Sequence, residues 1–167
     1  GLAATTVAFC SMAYELTLAQ CLTVLHGDTI ASYSLVIGCF VLSLGLGAAY
    51  WAKAAKPPTV ATFWLIELTL ALLGLAAPLV IFRVEFEPAS WLGWPTGQWA
   101  VLAFALVIGF CSGMEIPILI ALGRQRAERI AGLVVGLDFI GTFLASLAVP
   151  LAFFFRSEEH TSELQSH

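Results

Sequence analysis

Charge is scarce in this chain. Only 11% of its 167 residues are Asp, Glu, Lys or Arg, against about 25% in an average soluble domain. A surface so poor in charge excludes an ordinary cytosolic enzyme and a disordered tail. Seven basic residues face eleven acidic ones, net −4. No basic stripe is long enough to follow a phosphate backbone, so a nucleic-acid partner is excluded. The four cysteines, Cys10, Cys21, Cys39 and Cys111, form no Cys-x-x-Cys pair. His160 and His167 lie in the C-terminal tail, and His26 stands alone in a turn. No zinc constellation or other metal site is present in the pattern, and no cofactor motif either. Gly45-Leu46-Gly47 sits inside an apolar run without the strand–turn–helix setting of a phosphate loop.

What the chain has is apolar length. Sixty per cent of it is hydrophobic, and its mean hydropathy is +0.94. A helix rises about 1.5 Å per residue, so about 20 apolar residues cross a bilayer core. Five windows qualify: Leu2–Leu25, Ile30–Tyr50, Val60–Phe82, Trp99–Leu122 and Ile130–Phe155. Hydrocarbon offers backbone groups no water, so each window is expected to be helical. The fold class is therefore all-α, a polytopic transmembrane bundle of five helices over residues 1–155. The first window has no basic leader and is too long for a signal peptide's apolar core. The four cysteines fall in these spans and read as small buried apolar residues. The chain opens on Gly1 rather than Met, as a fragment or processed piece would.

The tail, residues 156–167, reads RSEEHTSELQSH and breaks abruptly from the apolar run before it. It resembles the translation of a short-read sequencing adapter and is set apart as a processing scar; the plainer alternative is a polar extramembrane loop. Without it six basic and eight acidic residues remain, net −2.

The connections are His26–Thr29, Trp51–Thr59, Arg83–Gln98 and Gly123–Arg129. The second and fourth carry Lys53, Lys56, Arg124, Arg126 and Arg129. The first and third carry only Arg83, beside Asp28, Glu85 and Glu87. The positive-inside rule puts the basic pair of loops, and the N-terminus, in the cytoplasm of a plasma-membrane protein. Trp51, Trp91, Trp94 and Trp99 fall near the expected interfaces, where indole rings are favoured. The stretch from Trp91 to Trp99 reads as an ordered loop, with a re-entrant segment as the alternative. Asp28 or Thr29 is expected to cap the second helix.

Four carboxylates lie in or near the spans: Glu15, Glu67, Glu115 and Asp138. A charge at a helix centre costs about 2.5–3.5 kcal/mol on insertion scales, while each Leu, Ile, Phe or Val returns only about 0.3–0.6. Lipid-facing placement is therefore disfavoured, and all four are expected to face the bundle interior or a wet cavity. Small residues accompany two of them at helical spacing: Ala8, Ser11 and Ala19 beside Glu15, and Ala131, Gly141, Thr142 and Ala145 beside Asp138. Such stripes mark close helix contacts. Glu15 and Asp138 are the favoured candidates for a cation or proton site, Glu67 less so. Glu115, near the cytoplasmic end of its span, reads as a hydrated residue. The alternative for all four is hydrogen bonding that only fixes packing.

Pro78, Pro117 and Pro150 remove the bonds to the carbonyls of Gly74, Gly113 and Ser146, and kinks are expected there. Gly109/Gly113 and Gly132/Gly136 are small-residue pairs, the second face extended by Gly141, that signal close packing, within the bundle or between copies in a homo-oligomer. Phe9-Cys10-Ser11 before Glu15 is echoed by Phe110-Cys111-Ser112 before Glu115. The echo leaves an inverted repeat and coincidence both open.

Several of these motifs resemble, as a set, the N-terminal membrane region of membrane-anchored spermidine synthase-like proteins, the polyamine aminopropyltransferases. They are Tyr14-Glu15-Leu16, Gly27-Asp28, Ser34-Leu35-Val36-Ile37-Gly38, Leu44-Gly45-Leu46-Gly47, the run Gly113 to Leu119, Leu137-Asp138-Phe139-Ile140-Gly141, Ala145-Ser146 and Pro150-Leu151. The resemblance implies a parent in which a cytoplasmic Rossmann-like domain transfers an aminopropyl group from decarboxylated S-adenosylmethionine to putrescine. No residue of that catalytic domain can be placed in this chain, so no catalytic residue is assigned and no activity is expected of it alone. The alternative from the residues is a transporter-like or structural bundle whose carboxylates bind a polyamine or other cation. The expected partners are the lipid bilayer, that cation, and a second copy of the chain.

Overall fold

The computed structural model describes residues 2–53, 58–85, 90–91, 94–124 and 130–165. Five helices account for nearly all of them: α1 (Leu2–His26), α2 (Thr29–Lys53), α3 (Val60–Glu85), α4 (Thr96–Arg124) and α5 (Ile130–Gln165). All five contain a stretch long and apolar enough to cross a membrane: Ala4–His26, Thr29–Lys53, Val60–Val84, Thr96–Leu122 and Gly132–Ala152. The helices stay continuous through Pro78, Pro117 and Pro150.

Local chemistry sets the helix boundaries. Gly27 takes the left-handed conformation, with φ of 81°, which a side chain would strain. Its N–H donates to the Thr23 carbonyl at 2.8 Å and closes α1. The next residue opens α2: the Asp28 carboxylate accepts from the Ala31 N–H at 3.0 Å, and its carbonyl accepts from Ser32 at 3.1 Å. Of the two residues considered for this cap, Asp28 is the one that serves. Thr59 caps α3 in the same way, its hydroxyl accepting from the Thr62 N–H at 3.2 Å.

The third connection is shorter than Arg83–Gln98. Helix α3 runs on to Glu85, and α4 begins at Thr96. Between them a minimal antiparallel pair, β1 (Ser90–Trp91) and β2 (Trp94–Pro95), matches Ser90 with Pro95 and Trp91 with Trp94. Gln98 belongs to α4 and is buried, its side-chain N–H donating to the Leu25 carbonyl at 3.3 Å across the end of α1. The fifth helix does not stop at Phe155; its backbone continues helically to Gln165. Lys56, Glu87, Arg126 and Arg129 lie outside the described residues.

Helix α4 is central and packs against α1, α2, α3 and α5. Its core stripe is Val101, Ala105, Ile108, Ser112, Glu115 and Ile118, each at most 3% exposed. Against it lie Phe40 and Val36 of α2 and Leu18, Ala19 and Leu22 of α1. The outer faces of α3 and α5 are apolar and open: Trp64, Leu68, Leu72, Leu75 and Leu79 on one, Phe139, Phe143, Leu147 and Leu151 on the other. A continuous apolar exterior of this kind suits hydrocarbon and not water.

Close approach of backbones fixes the α2–α4 crossing. A methyl at Gly113 would meet the Leu44 carbonyl, one at Gly47 the Phe110 carbonyl, and one at Gly109 the Ser43 hydroxyl. The Gly109/Gly113 pair is thus an internal contact. Gly132 and Gly136 differ, with nothing within 4 Å of the space a methyl would fill. The expected close packing does not occur there. They lie on the outer face of α5, whereas Gly141, on the inner face, lies against Thr5 and Ala8 of α1.

Candidate functional site

The four carboxylates line two cavities inside the bundle. A cavity of about 130 Å³ opens between α1, α2, α4 and α5. Its wall includes Ser11 and Glu15 from α1, Ser112 and Glu115 from α4, and Asp138 and Thr142 from α5, with Phe40 and Leu44 of α2 supplying apolar surface. A second cavity of about 120 Å³ lies between α1, α3 and α4, with Cys10, Ser11, Tyr14, Glu67, Ser112 and Glu115 in its wall. Ser11, Ser112 and Glu115 line both. Glu115 therefore stands at the partition between the two spaces.

Helical spacing explains this placement. Residues three and four apart share a helix face, so Ser11 and Glu15 project together from α1 and Ser112 and Glu115 from α4. The short echo seen in the sequence therefore places both its serines and both its glutamates on one cavity. The small stripes beside Glu15 and Asp138 are two sides of one contact, since Gly141 meets Thr5 and Ala8. That contact brings α5 close enough for Asp138 to reach the cavity wall. Tyr14 lies across Gly74 of α3, whose missing side chain gives the ring room.

Burial separates the four acids. Glu115 is 1% exposed and Glu15 8%, while Glu67 and Asp138 are half-buried. The reading of Glu115 as a hydrated residue is corrected: it is the most enclosed of the four. Its linear position near the span end misleads, because α4 has helices around it there. One carboxylate oxygen of Glu115 and the Ser112 hydroxyl are buried without a hydrogen-bond partner. Among the described residues, no Lys, Arg or His lines either cavity. Cysteine burial is also corrected. Cys10 is exposed, Cys21, Cys39 and Cys111 are partly buried, and all four are free thiols. Cys10 sits on the α1 face turned to the second cavity and out of the tight core.

A third and larger space, about 240 Å³, lies beside Pro78 between α1 and α3 and is lined mainly by Leu18, Ala77, Ile81 and Ile108. Among the described residues no carboxylate lines it.

Comparison with known proteins agrees with the resemblance carried by the motifs. A polyamine aminopropyltransferase 2 of Streptomyces coelicolor is 34% identical over 149 residues, covering 86% of this chain and 27% of the relative. A polyamine aminopropyltransferase 2 of Ralstonia nicotianae is 31% identical over 156 residues, 90% of this chain and 29% of the relative. A polyamine aminopropyltransferase of Leptospira interrogans is 26% identical over 149 residues, 88% of this chain and 28% of the relative. No protein-family profile matches the chain, and no solved structure does. The chain spans less than a third of the length of these curated relatives, and its similarity to them supports a spermidine synthase-like relationship.

Proposed function

We propose that this chain is the membrane-embedded N-terminal part of a spermidine synthase-like protein whose catalytic domain lies outside the sequence. The observation that carries the reading is the breadth of the match: similarity extends over 86–90% of the chain in three relatives, each more than three times as long as the matched stretch. Five helices of membrane-spanning length fit such an anchor. The Lys/Arg asymmetry of the connections supports an N-terminus in the cytoplasm and a fifth span that ends outside. The whole protein then transfers an aminopropyl group from decarboxylated S-adenosylmethionine to putrescine, on a domain that the five spans tether to the bilayer.

The test uses the complete native gene. Membranes from cells expressing it should form spermidine from putrescine and decarboxylated S-adenosylmethionine, and soluble fractions should not. Absence of the activity from membranes rich in the folded protein would overturn the reading.

The carboxylate-lined cavities favour one other reading, a transporter-like bundle that carries a polyamine or other cation. It requires further spans in the complete gene and no soluble domain. Membrane vesicles would then accumulate the cation without consuming it.

A further inference from the structure

Among the described residues, no basic side chain faces the acids of the two polar cavities. Four carboxylates line them, and the best-buried acid leaves an oxygen unpartnered. Buried polar groups are almost always hydrogen-bonded, and an orphan is costly. Glu115 and Ser112 are 1% and 3% exposed, both carry an orphan oxygen, and both line both cavities. We infer that the cavity pair is a binding site for a primary alkylammonium ion, with the ammonium group held at Glu115 and Ser112.

The shape of the site selects that class of cation. Among the described residues no group of three or more His, Cys, Asp or Glu side chains is close enough to hold a metal ion. The acids stand around the spaces and do not converge on one point. Each cavity, at about 130 and 120 Å³, is roughly ten times the volume that one ordered water needs. The walls alternate in character. Val7, Phe40, Leu44 and Ile116 offer apolar surface beside the acids of the first cavity, and Leu70 and Ala71 beside those of the second. A methylene chain fits the apolar walls. An ammonium head has three N–H donors and no acceptor. Those donors match the orphan Glu115 oxygen and the orphan Ser112 hydroxyl, with one left for a neighbouring carboxylate. Because Glu115 stands between the cavities, a chain of several carbons can lie in either one while its head stays at the same anchor. A diamine can place its second head at Glu67 on one side, or at Glu15 and Asp138 on the other.

The inference holds whether the chain anchors an enzyme or forms part of a transporter, since it rests on the cavities alone. It is tested by calorimetric titration of the purified protein in lipid nanodiscs with n-butylammonium and with 1,4-diaminobutane. Both should bind saturably, and the neutral isostere 1-butanol should not. Glu115→Gln, which keeps the volume and removes the charge, should weaken butylammonium by about tenfold or more, as expected for a lost charge-assisted hydrogen bond. Ser112→Ala tests the same head-group site with almost no change in volume, and should weaken it by about three- to tenfold. Glu67→Gln combined with Glu15→Gln and Asp138→Asn, which removes both second-head positions, should weaken 1,4-diaminobutane more than butylammonium. Asp28→Asn, at the α1–α2 turn, should alter neither. Far-UV circular dichroism checks that each variant keeps its helices, and Ser112→Ala carries the test if Glu115→Gln does not fold. Unchanged butylammonium binding in folded Glu115→Gln and Ser112→Ala, equal binding of 1-butanol, or displacement of the amine by equimolar Mg²⁺ would overturn the assignment.

Discussion

Replacing Gly113 with Ala probes how the bundle is held together. The added methyl would lie 2.8 Å from the Leu44 carbonyl carbon and 2.9 Å from its Cα, with the carbonyl oxygen nearer still. Ordinary contact for such a methyl begins near 3.4 Å, so α2 and α4 must part by about 0.6 Å or more. The neighbours are backbone atoms, and no side chain can swing aside. Opening a packed crossing by about 0.5–1 Å forfeits roughly a quarter to a half of each dispersion contact along it. Overpacking of this kind costs about 1–3 kcal/mol. Alanine also favours a helix over glycine by about 1 kcal/mol, which partly masks the cost. Gly132→Ala supplies the correction. That position lies in the first turn of α5 and has nothing within 4 Å, so it reports the glycine-to-alanine change without a clash. The difference between the two variants should therefore be about 1–3 kcal/mol, with Gly113→Ala the less stable. Reversible SDS titration in mixed micelles, followed by far-UV circular dichroism, measures it. Equal stability of the two variants would refute the claim that backbone contact at Leu44 fixes the crossing.

Further outcomes follow from the boundaries and the topology. Asp28→Ala removes the cap on Ala31 and should cost about 1 kcal/mol in the same titration. Gly27→Ala meets no neighbour within 4 Å, yet should cost about 1–2 kcal/mol because its φ of 81° is left-handed. Single cysteines at positions 54 and 127 on a Cys-less background should react with an impermeant maleimide only after the cytoplasmic face is exposed. Labelling from outside intact cells would reverse the proposed orientation.

Much of the architecture is legible in the sequence because bilayer thickness is a strict ruler. Apolar runs of about 20 residues admit few assignments, and the five helices appear where those runs lie. Polar punctuation is less dependable. Gln98 looks like loop and is helix, its side-chain N–H donating to the Leu25 carbonyl while its side-chain oxygen stays buried without a partner. The two glycine pairs show a second limit. Gly109/Gly113 and Gly132/Gly136 carry the same spacing, but one faces α2 and the other faces outward. Spacing defines a helix face and not what covers it. The same gap hides Glu115, since linear distance from a span end says nothing about how many helices surround that level. The clue was the echo of Ser11 and Glu15 in Ser112 and Glu115, which gains meaning once α1 and α4 are seen to share a cavity.

The central claim, that these five spans belong to an aminopropyltransferase-like protein, is tested most directly by sequencing the source locus through and beyond Phe155. On the proposed topology the fifth span ends outside, and the proposed substrates are cytoplasmic. The native frame should therefore show an apolar stretch of about 20 residues in place of residues 156–167, and then a soluble α/β pattern with a glycine-rich loop after its first strand. A frame that ran from Phe155 straight into a soluble pattern would contradict the proposed topology. One that held only more membrane spans would contradict the aminopropyltransferase assignment itself.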